Sequence, residues 1–522
     1  MTNNYINENF YNCGSEGVCT INPVVSAIQE ILLLYLVQSA NYALKLKRAG
    51  INYLNIKNLI LNTISSTVTN LEISETDFLN IVSAFWNELP NLIREYEKVC
   101  EENNIQPEYA KPSLKRLKKS NITALIRFGE KEFQKKQKIF SEDIRNLHKI
   151  LFLTAKNICV HIQDLQTFGI DSDEEYTAVL EVLNSIQKEK ECETIKKYIC
   201  KFAQINKTLS ETLHTQQENV YGKQRSGFVS YTTTPSKAVL VVGSNIRELE
   251  NILDALKDTD IDVYTHDKMI LAHTFPKFSE YKNLKGHYGQ VTDSYMPDFA
   301  TFPGPIILTR HSLFNIGNLY RGRLYTTDFA CSKGIISIKN NDFSEVINSA
   351  NNSKGFKTGK ICSDEVIGYD FEKLSAKISE KISAKNYSSI AIIENSYNVP
   401  TLTEYFNIFL KKAQNNILFI SLSPQEEREN LISVNACFDN YAIFRFSDFV
   451  KNILKKKLIV FFQECNSNFI PTIIYLKSKY NADIFIGKSN PLILSPSCIN
   501  VLCKLFNIQK ITTPVADLNK II

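Results

Sequence analysis

Apolar residues in the first part of the chain recur at intervals of three and four, the spacing that gathers them on one face of a helix. Val24, Val25, Ile28, Ile31, Leu32, Tyr35 and Leu36 follow it and predict a buried helix. Its unbroken apolar run, 31–37 (ILLLYLV), is far shorter than the ~20 residues needed to cross a bilayer, so no membrane association is expected. Ser74 with Asp77 reads as a capping start to a helix running toward Cys100, and Ser141 as the cap of another that Gly169 ends. Acidic residues from Asp171 to Glu175 suit the positive end of a third. Only four of the fifteen prolines precede residue 235, and 1–234 is predicted to be an all-helical domain.

From Pro235 the pattern changes to short β-branched runs alternating with helical segments, the signature of βαβ units and a parallel sheet. Lys237 to Val242, Ile261 to Tyr264, Pro305 to Thr309 and Arg323 to Thr326 are predicted strands, with a crossover helix over Arg247 to Lys257. The polar stretch Lys339 to Lys360 reads as a loop or excursion. The pattern then restarts, with strands predicted over Ser388 to Ile393, Asn416 to Ile420, Leu458 to Phe462 and Ala482 to Ile486. Helices are predicted over Thr401 to Gln414, Phe469 to Tyr480 and Pro496 to Phe506. The fold class is therefore α + α/β: a helical domain (1–234) followed by two Rossmann-like parallel-sheet domains (235–385 and 386–522).

Composition narrows the function classes. A chain of 522 residues with 44% hydrophobic and 22% charged residues can bury sizeable cores. Its 60 basic and 55 acidic residues leave a formal net charge of +5, too small for this length to suggest a nucleic-acid partner. Met1 to Phe10 is polar and lacks the basic-then-apolar order of a secretory signal, so a cytoplasmic location is expected. Twelve cysteines are present, but no two are spaced C-x-x-C. The basic cluster Lys111, Lys115, Arg116, Lys118 and Lys119 reads as a solvated loop, with a docking patch for an acidic protein as the sharper alternative.

In open α/β sheets ligands bind beyond the carboxyl ends of the strands. That rule nominates Gly243 and Ser244, then His266, Asp267 and Lys268, then Arg310, His311 and Ser312. In the second α/β unit it nominates Asn395 and Ser396, Ser421 to Ser423, and Glu464 with Cys465. Each alone more often caps a helix or closes a turn. Nucleotide-loop, zinc-protease and hydrolase motifs are absent from the sequence. Cys13 and Cys19 could be two ligands of a metal centre, or plain thiols.

One string carries more. Residues 262–288 read DVYTHDKMILAHTFPKFSEYKNLKGHY, followed by FPGPIIL at 302–308 and LYTT at 324–327. This resembles the hybrid cluster protein family, the hydroxylamine reductases once called prismane proteins. NCGSEGVC at 12–19, ECN at 464–466 and LSPSCINVL at 494–502 extend the resemblance to almost the whole chain. It implies a helical domain and two Rossmann-like domains related to carbon monoxide dehydrogenases. It also implies an iron-sulfur cube on four N-terminal cysteines, and a hybrid iron-sulfur-oxygen cluster on one histidine, two glutamates and four cysteines, one persulfurated. For that family the resemblance implies reduction of hydroxylamine, or of nitric oxide, at the hybrid cluster.

Aligned with that pattern, the ligand histidine falls at Gly243 to Asn245, a ligand glutamate at Lys268, and a cysteine at Ser312. The persulfide cysteine falls at Ser396 and the next near Leu422; the last glutamate is deleted. Cys465 alone stands at a hybrid-cluster position, and Cys13 and Cys19 match two of the four cube cysteines. Serine hydroxyls stay neutral at pH 7, and a protonated lysine has no lone pair to donate to iron. The expectation is a scaffold without the hybrid cluster and with no cofactor, a pseudoenzyme or binding protein whose ligand is an unknown protein or a small anion. Ser244, His266, Lys268, Arg310, His311, Ser312 and Ser396 would line its pocket. The alternatives are a reductase with rearranged iron-sulfur ligands, and a non-redox catalyst using His266, Lys268 or Cys465.

Overall fold

The computed structural model describes residues 23–70, 72–110, 114, 117, 120–186, 188–289, 295–312, 319–394, 400–413, 416–436, 439–463, 467–487 and 494–521. Cys13, Cys19, the five basic residues from Lys111 to Lys119, Ser396 and Cys465 lie outside the described residues. The chain divides into two compact units. Unit 1 takes Met1–Leu209, Phe329–Lys333 and Pro491–Leu502; unit 2 takes Ser210–Asp328, Gly334–Asn490 and Cys503–Ile522.

Unit 1 is helical. In order come α1 (Pro23–Arg48), α2 (Leu54–Thr67), α3 (Glu75–Glu102), α4 (Ile122–Ile139), α5 (Glu142–Gln166), α6 (Asp173–Ser185) and α7 (Cys192–Tyr221), the last continuing into unit 2. The predicted starts are met: Ser74 accepts from the Asp77 amide and Ser141 from that of Ile144, satisfying N–H groups that an opening helix leaves unpaired. By length and composition α1 could cross a bilayer, yet 67% of its most apolar window is buried, against α2, α3, α4 and α6. Gly129 lets α4 approach, since a Cβ there would lie 2.3 Å from the Ala27 carbonyl oxygen. On α1, Tyr35 stacks on Phe85 at 5.6 Å and accepts the indole N–H of Trp86 at 2.6 Å.

Unit 2 begins its strands with β1 (Gly227–Val229), then β2 (Lys237–Val242), α8 (Ile246–Leu256), β3 (Ile261–His266), β4 (Leu284–His287), α9 (Tyr295–Thr301), β5 (Ile306–Leu308), β6 (Leu324–Thr326) and β7 (Ile336–Ser337). After α10 (Ser344–Asn352), β8 (Glu365–Ile367) and α11 (Phe371–Ala384) come β9 (Ser389–Glu394), α12 (Pro400–Ala413), β10 (Ile417–Ser421), β11 (Leu431–Ser433) and α13 (Asn440–Asp448). The chain ends with β12 (Lys457–Phe462), α14 (Ile470–Tyr480), β13 (Asp483–Ile486), α15 (Pro496–Phe506), whose residues through Leu502 belong to unit 1, β14 (Gln509–Lys510) and α16 (Pro514–Ile521).

Two six-stranded sheets result, ordered β4-β3-β2-β5-β6-β7 and β11-β10-β9-β12-β13-β14, with every pairing inside them parallel. Each repeats the doubly wound order 3-2-1-4-5-6. Central strands such as Val239, Leu240 and Val241 are buried on both faces, which is why they read as continuous apolar runs. At the far end Asp517, fully buried, ties α16 down by accepting from the Thr512 amide at 2.7 Å, the Thr512 hydroxyl at 2.6 Å, Tyr405 at 3.0 Å and Lys520 at 3.0 Å.

Two expectations are corrected. The region before 235 is not wholly helical, because β1 pairs antiparallel with β8, more than a hundred residues away and invisible to local pattern. The stretch 339–360 is not all loop: α10 forms there with only Val346 and Ala350 buried, too few apolar positions among Asn and Ser to give a periodic signal.

Candidate functional site

The strand order reverses between β2 and β5, so the loops after these strands meet at the switch point of the first sheet. Gly243, directly after β2, has φ +126°, a conformation suited to glycine. A Cβ at Gly243 would lie 2.0 Å from Ser312 Oγ and 2.2 Å from Thr309 Oγ1. The two hydroxyls thus press on bare backbone, and the Thr309 hydroxyl donates to the Val242 carbonyl at 3.0 Å. Ser312 and Thr309 are 3.3 Å apart through their hydroxyls. The turn that carries Ser312 is therefore packed onto the turn that carries Ser244.

Arg310 faces Glu248, in the first turn of α8. That buried carboxylate accepts from the Arg310 amide at 2.9 Å, from its guanidinium Nε, and from the Thr327 hydroxyl at 2.6 Å. His311 takes φ +65° and donates its backbone N–H to Asp328 at 2.9 Å.

His266 ends β3 as a strand residue. Its Nε2 lies 3.1 Å from Asp298 Oδ2, its ring stacks on His287 at 5.9 Å, and the edge of Phe299 is 5.3 Å away. Thr265 Oγ1 sits 2.9 Å from both His273 Nε2 and His287 Nδ1. Burial pulls His273 down to about 4 and His287 well below the ordinary imidazole value, the latter helped by His266 and His273, so both rings are neutral at pH 7. Next in the chain, Asp267 has φ +57°, and burial pushes its carboxyl up against the opposing pull of Lys268 and His266. The Lys268 ammonium lies 5.8 Å from the ring centroid of Phe469, which directly precedes α14 of the second sheet.

Ser244, Arg310, His311 and Ser312 thus belong to one turn cluster, while His266 and Lys268 belong to the neighbouring strand end, where the new partners are histidines and Asp298. Sequence reasoning missed Glu248, Asp298, His273 and His287. Both histidines stood inside the string 262–288, and alternation of His with apolar residues was their sole signal. Glu248 had none beyond its place in a first helical turn.

The family model for the prismane/CO dehydrogenase family matches residues 9–424. The chain belongs to that family. Relatives named hydroxylamine reductase include one from Maridesulfovibrio salexigens, 24% identical over 98% of this chain and 97% of its own length. Another, from Methanocaldococcus jannaschii, is 23% identical over 98% of this chain and 97% of its own. Among solved structures, an acetyl-CoA synthase/carbon monoxide dehydrogenase with nickel- and zinc-bearing [Fe4S4] clusters is similar over 95% of this chain and 81% of that one, at 11% identity and TM-score 0.47.

Membership in the prismane/CO dehydrogenase family raises the question of whether these residues suit an iron-sulfur centre. At the switch point of the first sheet they do not. The side chains there are the Thr309 and Ser312 hydroxyls and the Arg310 guanidinium rather than thiolates, and the carboxylate of Glu248 is spent on Arg310 and Thr327. Among the described residues no group of three or more His, Cys, Asp or Glu is arranged to hold a metal ion. Cys331, in unit 1, has its N–H on Asp77, and Cys362, in unit 2, has its own on Thr232.

Proposed function

We propose that this chain keeps the prismane/CO dehydrogenase scaffold but not hybrid-cluster chemistry, and serves as a binding protein. The observation that carries the reading is the pairing of the switch-point side chains with one another. Glu248 neutralises Arg310, Ser312 and Thr309 fill the space over Gly243, and Lys268 brings a cation where the family pattern has a carboxylate. A site built for iron would instead present open soft donors. The partner expected at this edge is a small anion or an acidic protein segment near Lys268, since Arg310 is already paired. The second reading, a hydroxylamine reductase with rearranged ligands, draws support from relatives of that name that span nearly the whole chain.

Protein produced and handled without oxygen, assayed for iron and acid-labile sulfide, separates the two. Substoichiometric iron is expected. Several irons per chain that persist in a Cys13→Ser/Cys19→Ser variant would place a cluster away from the N-terminal cysteines and restore the reductase reading. Loss of that iron in the variant would confine the metal to the N-terminus.

A further inference from the structure

Unit 1 contains a cavity of about 280 Å³ that none of the candidate site residues touches. It lies just under the roughly 300–1,000 Å³ typical of small-molecule sites. Leu32, Leu33 and Leu36 of α1, Phe133 of α4, Phe140 just after α4, and Phe152 of α5 give it apolar walls. Polar groups share the lining: Arg145, His148 and Lys149 from α5, and Ser495 and Ser497 at the start of α15, where the Asn146 side chain reaches the Ser497 hydroxyl at 3.4 Å.

The charges there are unequal. Lys136, Arg145 and Lys149 stand against Glu30 and Glu142. Lys136 and Glu30 pair at 2.5 Å, and Glu142 is exposed in the first turn of α5. Arg145 donates to the carbonyls of Phe140 at 2.6 Å and Gln137 at 3.4 Å, which fixes the guanidinium at the end of α4 without cancelling its charge. Burial pulls the Lys149 ammonium down to about 8, the expected response of a cation held among packed helices. The opening turn of α15, with its amide ends and the Ser495 hydroxyl that accepts from the Cys498 amide, adds positive potential to the lining beside Asn146 of α5. His148 hydrogen-bonds the backbone of Glu189 through one ring nitrogen, and its buried Nε2 has no hydrogen-bond partner among the described residues. Burial pulls this ring down to about 4, so it is neutral and Nε2 presents a lone pair.

We propose that this cavity binds a small amphipathic carboxylate, in class a short- or medium-chain fatty acid, with its apolar part among the leucines and phenylalanines and its carboxylate at Arg145 and Lys149. This does not rest on the reading of the first-sheet site and survives its failure. The probes are sodium octanoate and 1-octanol, titrated calorimetrically into the full chain. A charge-assisted contact at a buried site predicts roughly ten- to hundredfold tighter binding of octanoate than of octanol. Lys149→Met is expected to remove most of that preference, and Leu33→Trp, which fills the cavity, to weaken both ligands, with circular dichroism melts verifying the fold. Absence of saturable octanoate binding, an equal affinity for octanol, or full retention of octanoate affinity in Leu33→Trp overturns the proposal. The wild-type preference alone decides if Lys149→Met does not fold.

Discussion

Replacing Glu248 by glutamine tests whether the switch point of the first sheet is held shut by its own charges. The carboxylate accepts three hydrogen bonds, two from Arg310 and one from Thr327, and is 4% exposed. Glutamine keeps the shape but turns an N–H₂ toward one of these donors, so at least one charge-assisted bond of ~1.5–3 kcal/mol is lost. Breaking a buried ion pair by removing one partner costs ~3–5 kcal/mol. The Arg310 side chain is 27% exposed, and water recovers part of its charge, which favours the lower end, about 3 kcal/mol. That corresponds to a roughly hundredfold rise in opening of the β2 to α8 and β5 to β6 segments. Amide hydrogen exchange read by mass spectrometry on peptides from those segments measures it directly. In Glu248→Gln/Arg310→Met the orphaned cation is gone, and part of the loss should return. A change below about 1 kcal/mol for Glu248→Gln, or strict additivity in the double variant, would refute the argument that this pair closes the crevice.

Two further outcomes are expected. Gly243→Ala combines a backbone at φ +126° with a methyl 2.0 Å from Ser312 Oγ and 2.2 Å from Thr309 Oγ1; a destabilisation of ~2–4 kcal/mol is expected in urea titration, and Gly243→Ala/Ser312→Gly should relieve only the Ser312 part of the clash, leaving the Thr309 contact and the backbone strain. At Asp517 burial pushes the carboxyl up, but hydrogen bonds from Thr512, Lys520 and Tyr405 together hold it below its ordinary value of 3.8. A depressed folded value means stability is present above the unfolded value and lost as pH falls through the folded one. Acid unfolding below about pH 4 should therefore release α16, and Asp517→Asn should flatten that part of the pH profile; an unchanged profile would count against the sign.

Much of the architecture could be read from spacing alone. β2 and α15 occupy the predicted residues, and most other predicted strand ends of both sheets fall within one or two, because a strand buried on both faces must be a continuous apolar run. What escaped depends on distant pairing. The β1 and β8 ladder joins positions more than a hundred residues apart, and Glu248 meets Arg310 across 62. Nothing local in a first-turn glutamate distinguishes a helix-dipole role from a crevice ion pair. The site residues after β2, β3 and β5 were reachable because the carboxyl-end rule names positions, while their chemistry needed the geometry: Arg310 looked like an anion ligand until its partner was found. Cys13, Cys19, Ser396 and Cys465 remain readings of the sequence.

Trp86, the single tryptophan, donates its indole proton to Tyr35 on α1, the helix that also supplies Leu32 and Leu36 to the unit 1 cavity. Indole emission from the whole protein therefore originates in the helical unit, and both parallel sheets are dark in that channel. The cavity and the indole thus both contact α1, whereas events around Glu248 or Asp517 lie in the unit without a tryptophan and must be followed by other means.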